Sequence, residues 1–129
     1  MTTEIHKEDK TAILGDKSLI IVDDDNPFRE RLSRAMEKKG FTVSQAESVK
    51  TAINLVKIKK PAFAVVDLRL GDGNGLEAVK AIQISNPNSR IIMLTGYGNI
   101  PTAVSAIKQG AIDYLSKPAD ADDVEKALL

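Results

Sequence analysis

Apolar residues recur along this chain in two rhythms. Short runs in which nearly every residue is apolar, such as SLIIVD at 18–23 and AFAVVDL at 62–68, alternate with longer segments whose apolar positions return every three to four residues. The first rhythm suits strands covered on both faces, the second suits helices laid over them. The pattern predicts a strand from Ser18 to Asp23 and a helix from Phe28 to Lys39, with Phe28, Leu32, Ala35 and Met36 on one face. Lys38 and Lys39 favour that helix's negative pole, and Gly40 suits a left-handed cap. Phe41 to Gln45 reads as a short strand. Ser48 to Lys59 reads as a helix with Ala52, Ile53, Leu55 and Val56 inward, stopped by Pro61. Asn74 to Ser85 supplies a third helix, Arg90 to Leu94 a fourth strand, and Ile100 to Gln109 a fourth helix. Pro101 falls in that helix's first turn, where its missing N–H costs nothing. Ile112 to Leu115 is the fifth strand, and Asp120 caps a last helix in which the chain stops. Strand and helix alternating five times imply a parallel sheet with right-handed crossovers, hence a doubly wound α/β domain. Residues 1–16 read as a polar tail, residues 17–129 as one domain.

Ligands of such folds bind at the carboxyl ends of the strands, near the point where strand order reverses. There the first strand ends in Asp23, Asp24 and Asp25, the third in Asp67, the fourth in Thr95 and Gly96, and the fifth in Ser116-Lys117-Pro118. Two carboxylates roughly 4 Å apart repel by about 4 kcal/mol at an effective dielectric of about 20, so the acids need a compensating charge. Hard carboxylate oxygens with open positions suit Mg²⁺ (or Mn²⁺), which keeps waters and recruits a phosphate. The chemistry that fits is phosphoryl transfer to a carboxylate. Asp67 would be the nucleophile, Lys117 would pair one equatorial oxygen of the transferring group, and Thr95 would bond another. An acidic pair ending a strand is by itself as often a turn or a helix cap, and Asp25 or Asn26 serves the first helix in that way.

Composition narrows the alternatives. Eighteen Lys and Arg balance eighteen Asp and Glu. No net field marks a nucleic-acid or anionic-membrane surface. The chain has no cysteine, which removes disulfides, thiol catalysis and direct thiol-based redox sensing. No apolar run is long enough for a signal sequence or a membrane span, so a cytoplasmic protein is expected. The glycines of GDGNG and GYGN do not make the G-x-G-x-x-G pattern of a dinucleotide site. KIKK at 57–60 reads as a solvated helix end, and His6 as a residue of the tail.

The stretches IIVDDDNPFRERL, VVDLRLGDGNGLEAVKAI and IIMLTGYGNIPTAVSAIKQGAIDYLSKP resemble the receiver domain of bacterial two-component response regulators, over about residues 17–129. The similarity is strongest to the redox-responsive global regulators of the RegA, PrrA and ActR type, which join a receiver to a small helix-turn-helix DNA-binding domain. The resemblance implies a flavodoxin-like (βα)5 domain with strand order 2-1-3-4-5. It makes Asp67 the phosphoacceptor and Asp23, Asp24, Asp67 and the Arg69 backbone carbonyl the Mg²⁺ site. It makes Thr95 the switch hydroxyl, Lys117 the conserved-type lysine and Tyr114 the switch aromatic, and it implies a cis bond at Lys117–Pro118. The implied donor is a phosphohistidine on a sensor kinase, and the implied readout is a change in the face of the fourth helix, fifth strand and fifth helix, with a homodimer on phosphorylation. Arg69 and Tyr97, two residues beyond Asp67 and Thr95, flank the path of the hydrolytic water and are expected to tune phosphoryl lifetime. DNA would be reached only through an effector domain outside this chain, which is expected to be a fragment of a longer regulator.

One departure bears on the site. Family members usually carry proline four residues after the phosphoacceptor, where this chain has Gly71, so a more mobile loop is expected. The chain is not expected to be a turnover enzyme. A phosphotransferase acting on small substrates lacks support, because the aspartate nucleophile of the common hydrolases ends their first strand, whereas the nucleophile candidate here, Asp67, ends the third. A stand-alone phosphorelay protein and a receiver-like binding module that accepts no phosphate remain as alternatives.

Overall fold

The computed structural model describes residues 15–96, 100–108 and 110–129. Five strands, β1 (Ser18–Val22), β2 (Thr42–Ala46), β3 (Phe63–Asp67), β4 (Arg90–Thr95) and β5 (Asp113–Ser116), form one parallel sheet in the order β2-β1-β3-β4-β5. The connecting helices are α1 (Asn26–Lys38), α2 (Val49–Lys59), α3 (Gly75–Ser85) and α4 (Ile100–Lys108), and α5 (Ala121–Leu128) follows the last strand. The expected order is the observed one. Strand order reverses between β1 and β3, which puts the ends of those two strands side by side.

Alternation along each buried strand feeds two cores. Leu19, Ile21, Val65, Ile92 and Leu94 face one layer, where Phe28, Leu32 and Met36 of α1 meet Val124 and Leu128 of α5. Ile20, Val22, Ala64, Val66, Ile91 and Met93 face the other, against Ala52 and Val56 of α2 and Ala78, Val79 and Ile82 of α3. Each fully buried aliphatic side chain contributes about 1.5–3 kcal/mol. A slip of one residue in any central strand would exchange its two faces, so packing fixes where each strand stops.

The predicted elements are all present, with ends moved by one or two residues. Asp25 caps α1, its carboxylate accepting from the Phe28 N–H at 3.2 Å, so that helix starts at Asn26 instead of Phe28. At the other end Gly40 has φ +100°, its N–H donates to the Glu37 carbonyl and that of Phe41 to Met36, the pair of bonds that closes a helix through a left-handed residue. Ser48 and Asn74 cap α2 and α3 instead of opening them, and Asp120 caps α5. Lys60, with φ +45°, turns the chain out of α2 immediately before Pro61; a residue preceding proline is kept from the right-handed helical region. A hairpin over residues 69–74, with Arg69–Leu70 paired against Gly73–Asn74, stands between β3 and α3 and has no counterpart in the hydrophobic pattern. Gln109 and the tail to residue 14 lie outside the described residues. Among the described residues no helix is long and apolar enough to cross a membrane.

Candidate metal and phosphoryl site

β1, β3 and β5 end at one rim, and each delivers a charged side chain there. Asp23 follows β1 directly, and its N–H continues the ladder to the Ala46 carbonyl at 3.0 Å, so the residue is fixed before its side chain makes any contact. It is fully buried. Asp67 ends β3 with 6% of its surface exposed, while Asp24 is exposed. One carboxylate oxygen from each of Asp23, Asp24 and Asp67 lies within 4.8 Å of the others.

Lys117 joins the first and third of these acids. Its Nζ donates to Asp23 Oδ1 at 3.0 Å and to Asp67 Oδ2 at 3.1 Å, and it sits 4.9 Å from the centre of the Phe28 ring. Asp67 Oδ1 accepts from the Arg69 N–H at 3.2 Å, and Asp23 Oδ1 also accepts from the Asp25 N–H at 2.9 Å. Asp23 Oδ2 lies 2.9 Å from the ammonium but out of line for a hydrogen bond, and it has no other partner. A buried carboxylate oxygen in that state is a ready ligand for a cation. Burial pushes the Asp23 carboxyl up from its ordinary value, with the Asp67 charge adding to it, while the Lys117 bond and the Asp25 N–H pull the other way. For Lys117 burial is the largest influence and lowers its pKa, but the hydrogen bonds and charges of Asp23 and Asp67 together outweigh it, and the ammonium is held above its ordinary range. One ammonium thus serves two buried acids with a third beside them. Three hard oxygens and a surplus of negative charge fit a divalent cation.

The neighbours of these groups are placed by the backbone. Thr95 ends β4, is 1% exposed, and its hydroxyl donates to the Leu115 carbonyl at 3.4 Å, a long bond. Tyr114 is half-buried on β5, in register with Met93. The Lys117–Pro118 peptide is cis, and the Lys117 N–H donates to the Thr95 carbonyl at 2.8 Å. Arg69 opens the hairpin with its side chain exposed, and Tyr97 lies outside the described residues. Asp25 is taken up by its cap, which separates it from the other two acids of its triplet.

Two further residues shape the site, the first unmarked by any sequence pattern and the second a glycine in the family's usual place. Arg29 is 8% exposed, and its Nη1 donates to the Asp23 carbonyl and to Asn26 Oδ1, both at 2.7 Å, while its Nε donates to Gln45 Oε1 at 2.9 Å. It ties the turn bearing the acids to β2. The acceptor from β2 is sixteen positions away, so no local pattern marks Arg29. Gly75 is the second: a Cβ there would overlap the Asp67 carbonyl and meet Val66 Cγ1 at 3.0 Å. Only glycine lets α3 start directly beside Asp67.

Residues 19–129 match the response regulator receiver domain family. The chain is 58% identical over 123 residues to the photosynthetic apparatus regulatory protein RegA of Rhodobacter capsulatus, covering 95% of this chain and 67% of that one. It is 56% identical over 124 residues to the acid tolerance regulatory protein ActR of Sinorhizobium medicae, covering 96% of this chain and 64% of that one. The chain therefore spans about two thirds of the length of these regulators. Among solved structures, a response regulator protein from Burkholderia pseudomallei, carrying a phosphorylated aspartic acid, calcium ion and citrate, superposes with a TM-score of 0.83 at 39% identity over 88% of this chain and 67% of that one. The receiver domain of NtrX from Brucella abortus superposes with a TM-score of 0.76 at 30% identity over 85% of this chain and 97% of that one. The chain belongs to the response regulator receiver family, and the domain it forms is the receiver domain of a two-component response regulator.

Proposed function

We propose that Asp67 accepts a phosphoryl group from a phosphohistidine of a sensor kinase, in the presence of Mg²⁺ or Mn²⁺ held by Asp23, Asp24, Asp67 and the Arg69 backbone carbonyl. The observation that carries this reading is the convergence of Asp23, Asp24, Asp67 and Lys117 at the switch point of the sheet. The cation, when bound, neutralises charge on the transferring group. A carboxylate oxygen of Asp67 attacks the phosphorus in line with the leaving imidazole. The P–N bond breaks, its electron pair stays on the imidazole nitrogen, and an aspartyl phosphate remains. Lys117 exchanges its bond to Asp67 for one to a phosphoryl oxygen, and the Thr95 hydroxyl leaves the Leu115 carbonyl for another. Tyr114 follows Thr95, and the face of α4, β5 and α5 passes the change to an effector domain that controls transcription. Arg69 and Tyr97 set the access of hydrolytic water. The domain takes part in its own phosphorylation and dephosphorylation and turns over no separate substrate. The calcium ion and phosphorylated aspartic acid of the Burkholderia pseudomallei regulator support the same chemistry here.

Intact mass after incubation with acetyl phosphate tests this, on wild type and Asp67→Asn, with and without Mg²⁺. The expected result is one phosphoryl group gained only by wild type and only with Mg²⁺. No gain under any condition would favour a receiver-like module that accepts no phosphate.

A further inference from the structure

We propose that Asp72, at the tip of the hairpin after β3, is a positioning residue for the cation: by capping α2 from outside that helix it holds the loop that carries the Arg69 carbonyl. The inference rests on the metal-site reading above.

The N-terminus of a helix leaves its first N–H groups without partners. In α2 the local cap reaches only one of them, Ser48 Oγ accepting from the Thr51 N–H at 3.1 Å. Asp72 takes the two before it: Oδ1 accepts from the Val49 N–H at 2.9 Å and Oδ2 from the Lys50 N–H at 3.1 Å. These bonds span 23 and 22 positions of sequence. Both oxygens point at the positive pole of α2, and the two backbone N–H groups hold the Asp72 carboxyl below its ordinary range. With both oxygens engaged, Asp72 does not compete for the cation, and its effect on the site passes through the backbone.

The rest of the hairpin shows what the clamp holds. Leu70 is buried and anchors the strand leaving Arg69. Gly71 lies against the site, a Cβ there standing 3.8 Å from Asp24 Oδ2. At Gly73 a Cβ would come within 2.7 Å of Glu77 Oε1 and 3.4 Å of Val49 Cγ2, so the returning strand is seated between α2 and α3. The tip residue therefore stands between two glycines, the residues with most backbone freedom to lose on ordering. A clamp at Asp72 supplies from α2 the restraint that proline at 71 would supply from within the loop.

Calorimetric titration with Mg²⁺, together with melting temperatures, tests this on wild type, Asp72→Ala, Asp72→Asn and Ser48→Ala. Partners beyond the ligands themselves change metal affinity by about 10–100-fold. Asp72→Ala is expected to weaken Mg²⁺ binding about tenfold, at the lower end of that range. Asp72→Asn keeps one acceptor and falls between it and wild type. Ser48→Ala removes the local cap of the same helix and is expected to lower the melting temperature while leaving Mg²⁺ affinity unchanged. Equal affinity in wild type and the Asp72 variants would overturn the inference and leave the metal site standing. Loss of affinity in Ser48→Ala as large as in Asp72→Ala would overturn it too, by tracing the effect to α2 stability. Absence of Mg²⁺ binding by wild type would overturn the site reading and the inference together. Should Asp72→Ala fail to fold, Asp72→Asn against Ser48→Ala decides.

Discussion

Asp23 and Asp67 share one ammonium, and the consequences for stability follow from burial. Asp23 is fully inside, its carboxyl is shifted upward, and one of its oxygens has no aligned partner. A carboxyl whose folded pKa exceeds its unfolded one binds its proton more tightly in the fold. Its ionisation therefore costs stability, progressively, as pH rises from the ordinary value of 3.8 through the raised one. Asn at this position keeps the Oδ1 that accepts from the Asp25 N–H and removes the charge, while Lys117 retains Asp67. Without divalent cations, Asp23→Asn is expected to melt a few degrees above wild type at neutral pH. That gap should close as pH falls below the ordinary carboxylate range, where wild type is neutral as well. Adding Mg²⁺ should reverse the order, because a ligand that binds only the folded state stabilises by mass action and the variant has lost a proposed ligand. Melting curves over a pH series, with and without Mg²⁺, check both parts. A wild type more stable than Asp23→Asn in chelator at neutral pH would show that Lys117 fully compensates the buried charge.

Helices and strands of this chain were legible because their signals are local. A short polar side chain before an apolar stripe marks a helix start, as Ser48, Asn74 and Asp120 do, and a glycine after two lysines marks the exit of α1. What escaped is held by partners far away in sequence: the hairpin tip fixed on α2 through Asp72, and Arg29 reaching Gln45. Gly75 stands between these cases, visible as a glycine at a helix start but not as one forced by contact. Its place explains how α3 can begin beside the last residue of β3, since its N–H donates to the Leu68 carbonyl at 2.8 Å and no side chain separates the two segments. Gly75→Ala must push α3 away from the Asp67 carbonyl. Overpacking of this kind costs about 1–3 kcal/mol. The variant should therefore unfold at lower urea than wild type and, with Asp67 displaced, accept phosphoryl from acetyl phosphate more slowly. Unchanged phosphorylation at reduced stability would show that the strain is absorbed by α3 alone.

At the scale of the molecule, topology gathered the site: parallel order 2-1-3-4-5 was readable from the alternation and the family resemblance, and once β1 and β3 are neighbours their terminal acids have to meet. The same topology places Thr95 at the end of β4 next to β5, where Tyr114 lies, so a change at the acids can reach the edge of the sheet. That edge carries exposed apolar residues, Val104 and Ile107 on α4 and Ile112 before β5, each 38–42% exposed. A full reversal of a two-state equilibrium, from about 1:99 to 99:1, needs about 5.5 kcal/mol. A hydroxyl bond to a charged group contributes about 1.5–3 kcal/mol, and the bond that Thr95 makes to the Leu115 carbonyl is long and weak. In the proposed switch the Thr95 hydroxyl would thus supply part of the coupling and not the whole. The proposed switch, read out as the phosphorylation-dependent homodimer that the family resemblance implies, predicts that Thr95→Ala takes up phosphate on Asp67 but dimerises roughly 10- to 150-fold more weakly than wild type. Ile112→Glu should phosphorylate normally and stay monomeric by placing a charge in the apolar patch. Sedimentation velocity of the phosphorylated proteins over a concentration series distinguishes the outcomes. Dimerisation of Thr95→Ala as strong as wild type would remove the hydroxyl from the path, and dimerisation of Ile112→Glu would put the interface on another face.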